Sequence, residues 1–206
     1  MPPLPIDPIA VFLNIPYDEE FRSLYTAYVV GLYQLGLVPH LASEIPGSAR
    51  RLDRILALIQ SCRYSIHDLS RVELSVGPSA TPRFNMPLEL GMTISWEILN
   101  AGKHTWFVFE SEPYRLQRST SDLNGTDPNI HFGTAEGVLS ELRNAFPRDG
   151  APSVQRMFEV HRFIDTRVDT IRSRNGTRDV FALSVFRELC RLSSTLTRLL
   201  RDTRGH

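Results

Sequence analysis

Short apolar runs alternate with helix-spaced segments along the first half of the chain, and that alternation limits the fold more than any other feature. Residues 9–13, IAVFL, form a continuous apolar run of the kind found in a strand buried on both faces. From Glu19 onward the apolar residues fall at Phe21, Tyr25, Tyr28, Val29, Leu32 and Leu35, which is helical spacing. Asp18 is placed to cap that helix and Gly36 to close it. Residues 37–41, LVPHL, read as a second strand. Ser48 is placed to cap a second helix, with Leu52, Ile55, Leu56 and Ile59 on one face and Arg50, Arg51 and Arg54 largely off it. Residues 63–69, RYSIHDL, read as a third strand that ends in polar residues. A polar loop at 75–82 leads to a helix running to about Asn100, and residues 104–110, HTWFVFE, form a fourth strand. Residues 129–132 give a brief fifth strand and residues 134–146 a further helix. Strand–helix repetition predicts an α/β protein: a flavodoxin-like parallel sheet of order 2-1-3-4-5 flanked by helices.

The pattern changes after residues 147–152, PRDGAP, which read as a boundary. Two helices are expected beyond it, at 153–174 and 178–203, separated at Asn175-Gly176. The second carries a broad apolar stripe through Phe181, Val185, Phe186, Leu189, Leu192, Leu196, Leu199 and Leu200. The expected division is therefore an α/β domain at 1–148 and a C-terminal α-helical hairpin at 149–206. The hairpin would pack on the domain or on a second copy, so a homo-oligomer is expected.

Composition removes several function classes. The 23 basic and 23 acidic residues balance to a formal net charge of zero, which disfavours a general nucleic-acid coat or a polybasic membrane anchor. No apolar run approaches a membrane span, and the opening MPPLPIDP lacks the basic and apolar regions of a secretion signal. The expectation is a soluble cytoplasmic protein. The two cysteines, Cys62 and Cys190, both sit in helix-like apolar patterns and read as buried free thiols. No G-x-G-x-x-G follows the first strand and no G-x-x-x-x-G-K-[ST] occurs, so dinucleotide dehydrogenases and P-loop enzymes are disfavoured. The histidines and cysteines have no zinc spacing, and no nucleophile elbow accompanies a Ser–His–acid set. Neither a metal nor a cofactor is expected.

A carboxylate-centred site remains. In a 2-1-3-4-5 sheet, ligands bind at the carboxyl ends of strands one and three, where the winding reverses. Asn14 and Tyr17 leave strand one, His67 and Asp68 leave strand three, and the following loop leads to residues 83–91, RFNMPLELG. There Asn85 suits a cap, Pro87 a first turn, and Glu89 the positive end of the helix dipole. Gly91 removes a side chain beside Glu89 and permits a close approach. Glu89 is either a helix-start stabiliser or a reactive group, and the residues alone leave both open. Asp68 also reads as a turn residue, Tyr17 as packing, and His67 as a hydrogen-bonded strand histidine. As a site, Glu89 is suited to attack an anomeric carbon or to stabilise an oxocarbenium-like transition state, with Asp68 orienting it or holding ribose hydroxyls. Asp122 and His131 read as ordinary loop residues. The segment around 117–131 is irregular, and its position after strand four suggests a lid.

The stretches VFLNIPYD, SIHDLS and RFNMPLELG together resemble the nucleoside 2-deoxyribosyltransferases and the wider superfamily that includes TIR-like domains of bacterial defence. The resemblance spans roughly residues 9–110. It implies Glu89 as the nucleophile and Asp68 as the ribose-binding acid. Asn14, Tyr17, His67, Asn85 and Met86 would line the substrate site. The implied activity is cleavage or transfer at the N-glycosidic bond of a nucleoside, nucleotide or NAD-like substrate. The alternative it implies is a non-catalytic TIR-like module that senses a nucleotide or acts as an adaptor. Asn85-Met86-Pro87 stands where the deoxyribosyltransferases carry a Gly-Thr element, and Arg204-Gly205-His206 differs from the C-terminal carboxylate segment with which a neighbouring subunit of that family completes the site.

Overall fold

The computed structural model describes residues 5–45, 50–72 and 82–202. The Ser48 cap and all but the last residue of the polar loop at 75–82 lie outside those residues. Five strands form one parallel sheet: β1 Asp7–Asn14, β2 Val38–His40, β3 Cys62–Asp68, β4 Thr105–Glu110 and β5 Asn129–Ile130. Their order is β2-β1-β3-β4-β5, the flavodoxin-like arrangement. β1 meets β3 with Phe12 opposite Ser65 and Asn14 opposite His67, and β3 meets β4 with His67 opposite Val108 and Asp68 opposite Phe109. The apolar runs are strands because both faces are covered: Val11, Phe12, Leu13 and Ile66 are buried almost completely. Cys62 opens β3 instead of lying within a helix, and both cysteines are free.

Eight helices occur among the described residues: α1 Arg22–Gln34, α2 Arg51–Ser61, α3 Asn85–Leu99, α4 Arg115–Ser119, α5 Ala135–Ala145, α6 Val154–Asp165, α7 Val168–Arg174 and α8 Leu183–Asp202. By contacts the chain separates into one unit of residues 1–16 and 40–133 and another of residues 17–39 and 134–206.

In the first unit α2 and α3 pack on the strands. Ile55, Leu58 and Ile59 of α2 join Ala10, Phe12 and Cys62 in one cluster, against which Met92 and Trp96 of α3 rest. Met86 and Leu90 of α3 join Leu69, Val108 and Leu116 in a second. α3 is thus anchored at both ends, with side chains whose burial is worth about 1.5–3 kcal/mol each.

The second unit is helical and centred on α1. A helix that is apolar all round needs partners on several sides, and α5, α6 and α8 supply them. Residues Tyr25 to Leu32 of α1 are all buried. Here the structure departs from a division at 148/149: α1 and α5 group with the C-terminal helices because α1 provides the surface on which they pack. The cap assignment for α1 holds, since Asp18 Oδ1 accepts from the Phe21 N–H at 3.0 Å, although the opening turn is a 3-10 turn at Glu19–Phe21. The helix expected at 153–174 is two helices. Thr166 Oγ1 and the Arg167 guanidinium both donate to the Phe163 carbonyl, which ends α6 before Val168. The last helix starts at Leu183, later than expected. Thr177 Oγ1 and Asp179 Oδ1 accept the backbone N–H groups of Asp179 and Phe181 and hold that stretch in turns.

Candidate functional site

The site is built in the first unit, on the carboxyl side of β1 and β3. α3 begins earlier than the sequence suggests. Phe84 already has right-handed helical angles and is the N-cap, so Asn85 is the first helical residue and not the cap. Pro87 still lies in the first turn, but Glu89 opens the second. Dipole stabilisation fades over that distance, so the surroundings of Glu89 come from side chains.

Glu89 is buried, with only 4% of its surface exposed. The Asn85 side chain, one turn earlier, hydrogen-bonds its carboxylate. The guanidinium of Arg51, on the first turn of α2, lies 3.9 Å away (Nη2 to Oε1) and is half exposed. Burial pushes the Glu89 pKa above its ordinary 4.5, while Arg51 and then Asn85 pull it back down. Arg51 was not among the expected site residues. It is 38 positions from Glu89 in sequence, and only the packing of α2 beside α3 reveals it.

Asn14, His67 and Met86 are brought into direct contact. Asn14 Nδ2 donates to the Met86 carbonyl at 3.1 Å and lies 3.0 Å from His67 Nδ1. His67 Nε2 reaches Ser65 Oγ at 3.0 Å, Ser65 Oγ reaches His104 Nε2 at 2.9 Å, and His104 Nδ1 reaches the Cys62 carbonyl at 2.9 Å. One assignment of protons satisfies every link. Asn14 donates to His67 Nδ1, His67 Nε2–H donates to Ser65, the Ser65 hydroxyl donates to His104 Nε2, and His104 Nδ1–H donates to Cys62. Both imidazoles are therefore neutral. Burial drives the His67 pKa from 6.5 down to about 3, with His104 adding to the effect, and burial lowers His104 as well. His67 is thus the hydrogen-bonded strand histidine, and through Asn14 it helps set the backbone of the α3 first turn.

Asp68 follows His67 and, by strand alternation, projects from the opposite face of the sheet. Its Oδ1 accepts from the Ser70 N–H at 2.9 Å, and its Oδ2 lies 3.2 Å from His131 Nε2, both side chains being fully buried. His131 Nδ1 accepts from the Gly133 N–H at 3.1 Å, which leaves the proton on Nε2, facing Asp68. The irregular segment thus contributes a buried histidine where the sequence suggested an ordinary loop residue. Tyr17 falls in the helical unit, its ring 5.0 Å from that of Phe181.

Two further features mark the carboxyl edge. Arg115 binds Glu110 at the end of β4 through both oxygens, Nε to Oε2 at 3.0 Å and Nη2 to Oε1 at 2.5 Å, and also donates to the Leu69 carbonyl. This buried pair ties the loop after β4 to the end of β3. In addition Phe84, Tyr114 and Phe132, in the loops beyond β3, β4 and β5, are each more than two thirds exposed. Tyr114 and Phe132 hold positive φ angles of 62° and 52°. Such angles cost a bulky side chain of order 1 kcal/mol or more.

Among the described residues no group of three or more His, Cys, Asp or Glu side chains is placed to hold a metal ion, and no helix is long and apolar enough to cross a membrane. No protein-family model matches the chain, and no curated protein matches it either. A solved structure of a diflavin flavoprotein A3 from Nostoc sp. is similar at 16% identity, covering 95% of this chain and 98% of that one with a TM-score of 0.33.

Proposed function

We propose that the chain cleaves or transfers at the N-glycosidic bond of a nucleoside, nucleotide or NAD-like substrate, with Glu89 as the reactive carboxylate. The observation that carries this reading is a buried carboxylate flanked by a guanidinium and an amide at the carboxyl side of a flavodoxin-like sheet. A buried anion has lost its hydration and reacts or stabilises positive charge more strongly than one in water, provided a neighbour keeps it ionised. Arg51 and Asn85 favour that ionised form. In the reaction, Glu89 attacks the anomeric carbon and the bond to the base breaks. The base leaves with the bonding electron pair and takes up a proton, and the glycosyl ester is opened by water or by a second base. The exposed aromatic rings in the edge loops suit stacking against a planar base.

Incubation with nucleosides, nucleotides and NAD, followed by chromatography, should show free base. Glu89→Gln should reduce its release at least 100-fold. Release at the wild-type rate in that variant rejects the reading. The second reading is a non-catalytic TIR-like sensor or adaptor, favoured by the low exposure of Glu89. It requires binding of a nucleotide without release of base. Self-association through the C-terminal helices belongs to the same proposal.

A further inference from the structure

Two arginines in the helical unit converge on one glycine and have no acidic partner among the described residues. A Cβ built at Gly36 would lie 3.2 Å from Arg148 Nη1 and 3.4 Å from Arg201 Nη2, so the two nitrogens are at most about 6.6 Å apart, the sum of those distances. Gly36 has φ +73°, so both its conformation and its missing side chain make room for the guanidinium pair. Arg201 is held there by donating from Nη2 to the Gln34 carbonyl at 3.3 Å. Asp149 stands on the same rim and forms an ion pair with neither arginine, and Arg156, also on the rim, is engaged by Glu159 at 2.7 Å. Like charges at this separation repel unless an anion lies between them.

These residues line a cavity of about 490 Å³. Thr197 lines it too. It is 8% exposed, and its hydroxyl has no hydrogen-bond partner. A buried hydroxyl without a partner is rare enough in folded proteins to need a reason, and a bound oxyanion supplies one. The cavity exceeds the size of a single phosphate, and Leu35, Ala151, Pro152 and Leu200 give the remainder an apolar lining.

We propose that this cavity binds the phosphate group of a small organic phosphate monoester. Arg148 and Arg201 clamp the oxyanion, Thr197 donates its hydroxyl to it, and the apolar wall receives the organic part. Planar guanidinium forks match phosphate oxygens in pairs, which favours phosphate over a single carboxylate. The site goes beyond the Glu89 reading and uses none of its residues.

The test is calorimetric titration of the full chain with inorganic phosphate and with ribose 5-phosphate. Ribose 5-phosphate should bind at least several-fold tighter than inorganic phosphate, and equal affinities overturn the organic-phosphate assignment. Arg148→Gln and Arg201→Gln should each weaken binding at least tenfold, whereas Arg187→Gln, on the exposed side of α8, should not. Thr197→Val keeps the shape and both charges and should weaken binding several-fold, with a circular dichroism spectrum like that of the wild type. Glu89→Gln should leave the affinity unchanged; loss of binding there moves the ligand to the Glu89 site and overturns the proposal. Absence of wild-type binding at millimolar phosphate, or wild-type affinity in the Arg148→Gln/Arg201→Gln double variant, also rejects it.

Discussion

At the scale of single residues, Glu89 sits between opposing influences. Burial favours its neutral form and Arg51 its ionised form. Replacing Arg51 with Met should therefore raise the Glu89 midpoint further above 4.5, as read by carbon NMR of the carboxyl group. A midpoint that stays or falls would show that Arg51 does not act on Glu89. The sign for stability follows from the raised folded value. The protonated form is favoured in the fold, so this contribution is fully present below 4.5 and is lost as pH rises through the folded value. Glu89→Gln should flatten that decline and leave the protein no less stable at neutral pH. His67 has the opposite sign. Its folded value is depressed, so its contribution is present above 6.5 and is lost as pH falls toward about 3. Acid unfolding should steepen across that interval by about 1.4 kcal/mol per pH unit for this one proton. His67→Gln should remove that part of the slope in denaturation curves taken at several pH values.

At the scale of elements, α3 and α1 carry glycines that serve different ends. Nothing lies within 4 Å of a Cβ built at Gly91, on the exposed side of α3. Gly91→Ala should therefore stabilise the protein by about 0.5–1 kcal/mol through helix propensity. If the open space beside Glu89 admits substrate, the same change lowers activity while Tm rises. A Cβ at Gly31 of α1 would lie 2.7 Å from Leu142 Cδ1 and 2.8 Å from Leu139 Cδ2 of α5. Gly31→Ala should cost about 1–3 kcal/mol by overpacking, despite the better propensity of alanine. Thermal melts of the two variants should move in opposite directions. The strands were legible because each is a short apolar run buried on both faces, and the boundaries moved by only a residue or two. The start of α3 was misplaced because Asn85 and Pro87 suit a cap and a first turn, while the backbone at Phe84 had already turned helical.

At the scale of the whole molecule, the apolar stripe of α8 is largely used within the chain. Val185, Phe186 and Leu189 are buried, and α1 and α6 pack on this helix. Leu199 on α8 and Phe163 on α6 remain about half exposed and are what a second copy would cover. If the chain self-associates there, Phe163→Asp with Leu199→Asp should reduce the mass seen by light scattering to that of one chain, and an unchanged oligomer would exclude this surface. By itself the sequence determined the strand–helix order and hence the parallel sheet, because hydrophobic period and strand length are local properties. It also singled out Glu89, Asn14 and His67. The partners of those groups were decided by tertiary structure alone. Arg51 reaches Glu89 only through packing of α2 beside α3, and Asn14 meets His67 only through the register of β1 on β3. Asp68 turns away from His67 because adjacent strand residues face opposite sides of the sheet, and it meets His131 from a segment without periodicity. Separation along the chain places no limit on which side chains share a low-dielectric interior, and so the charge state of Glu89 belongs to the fold.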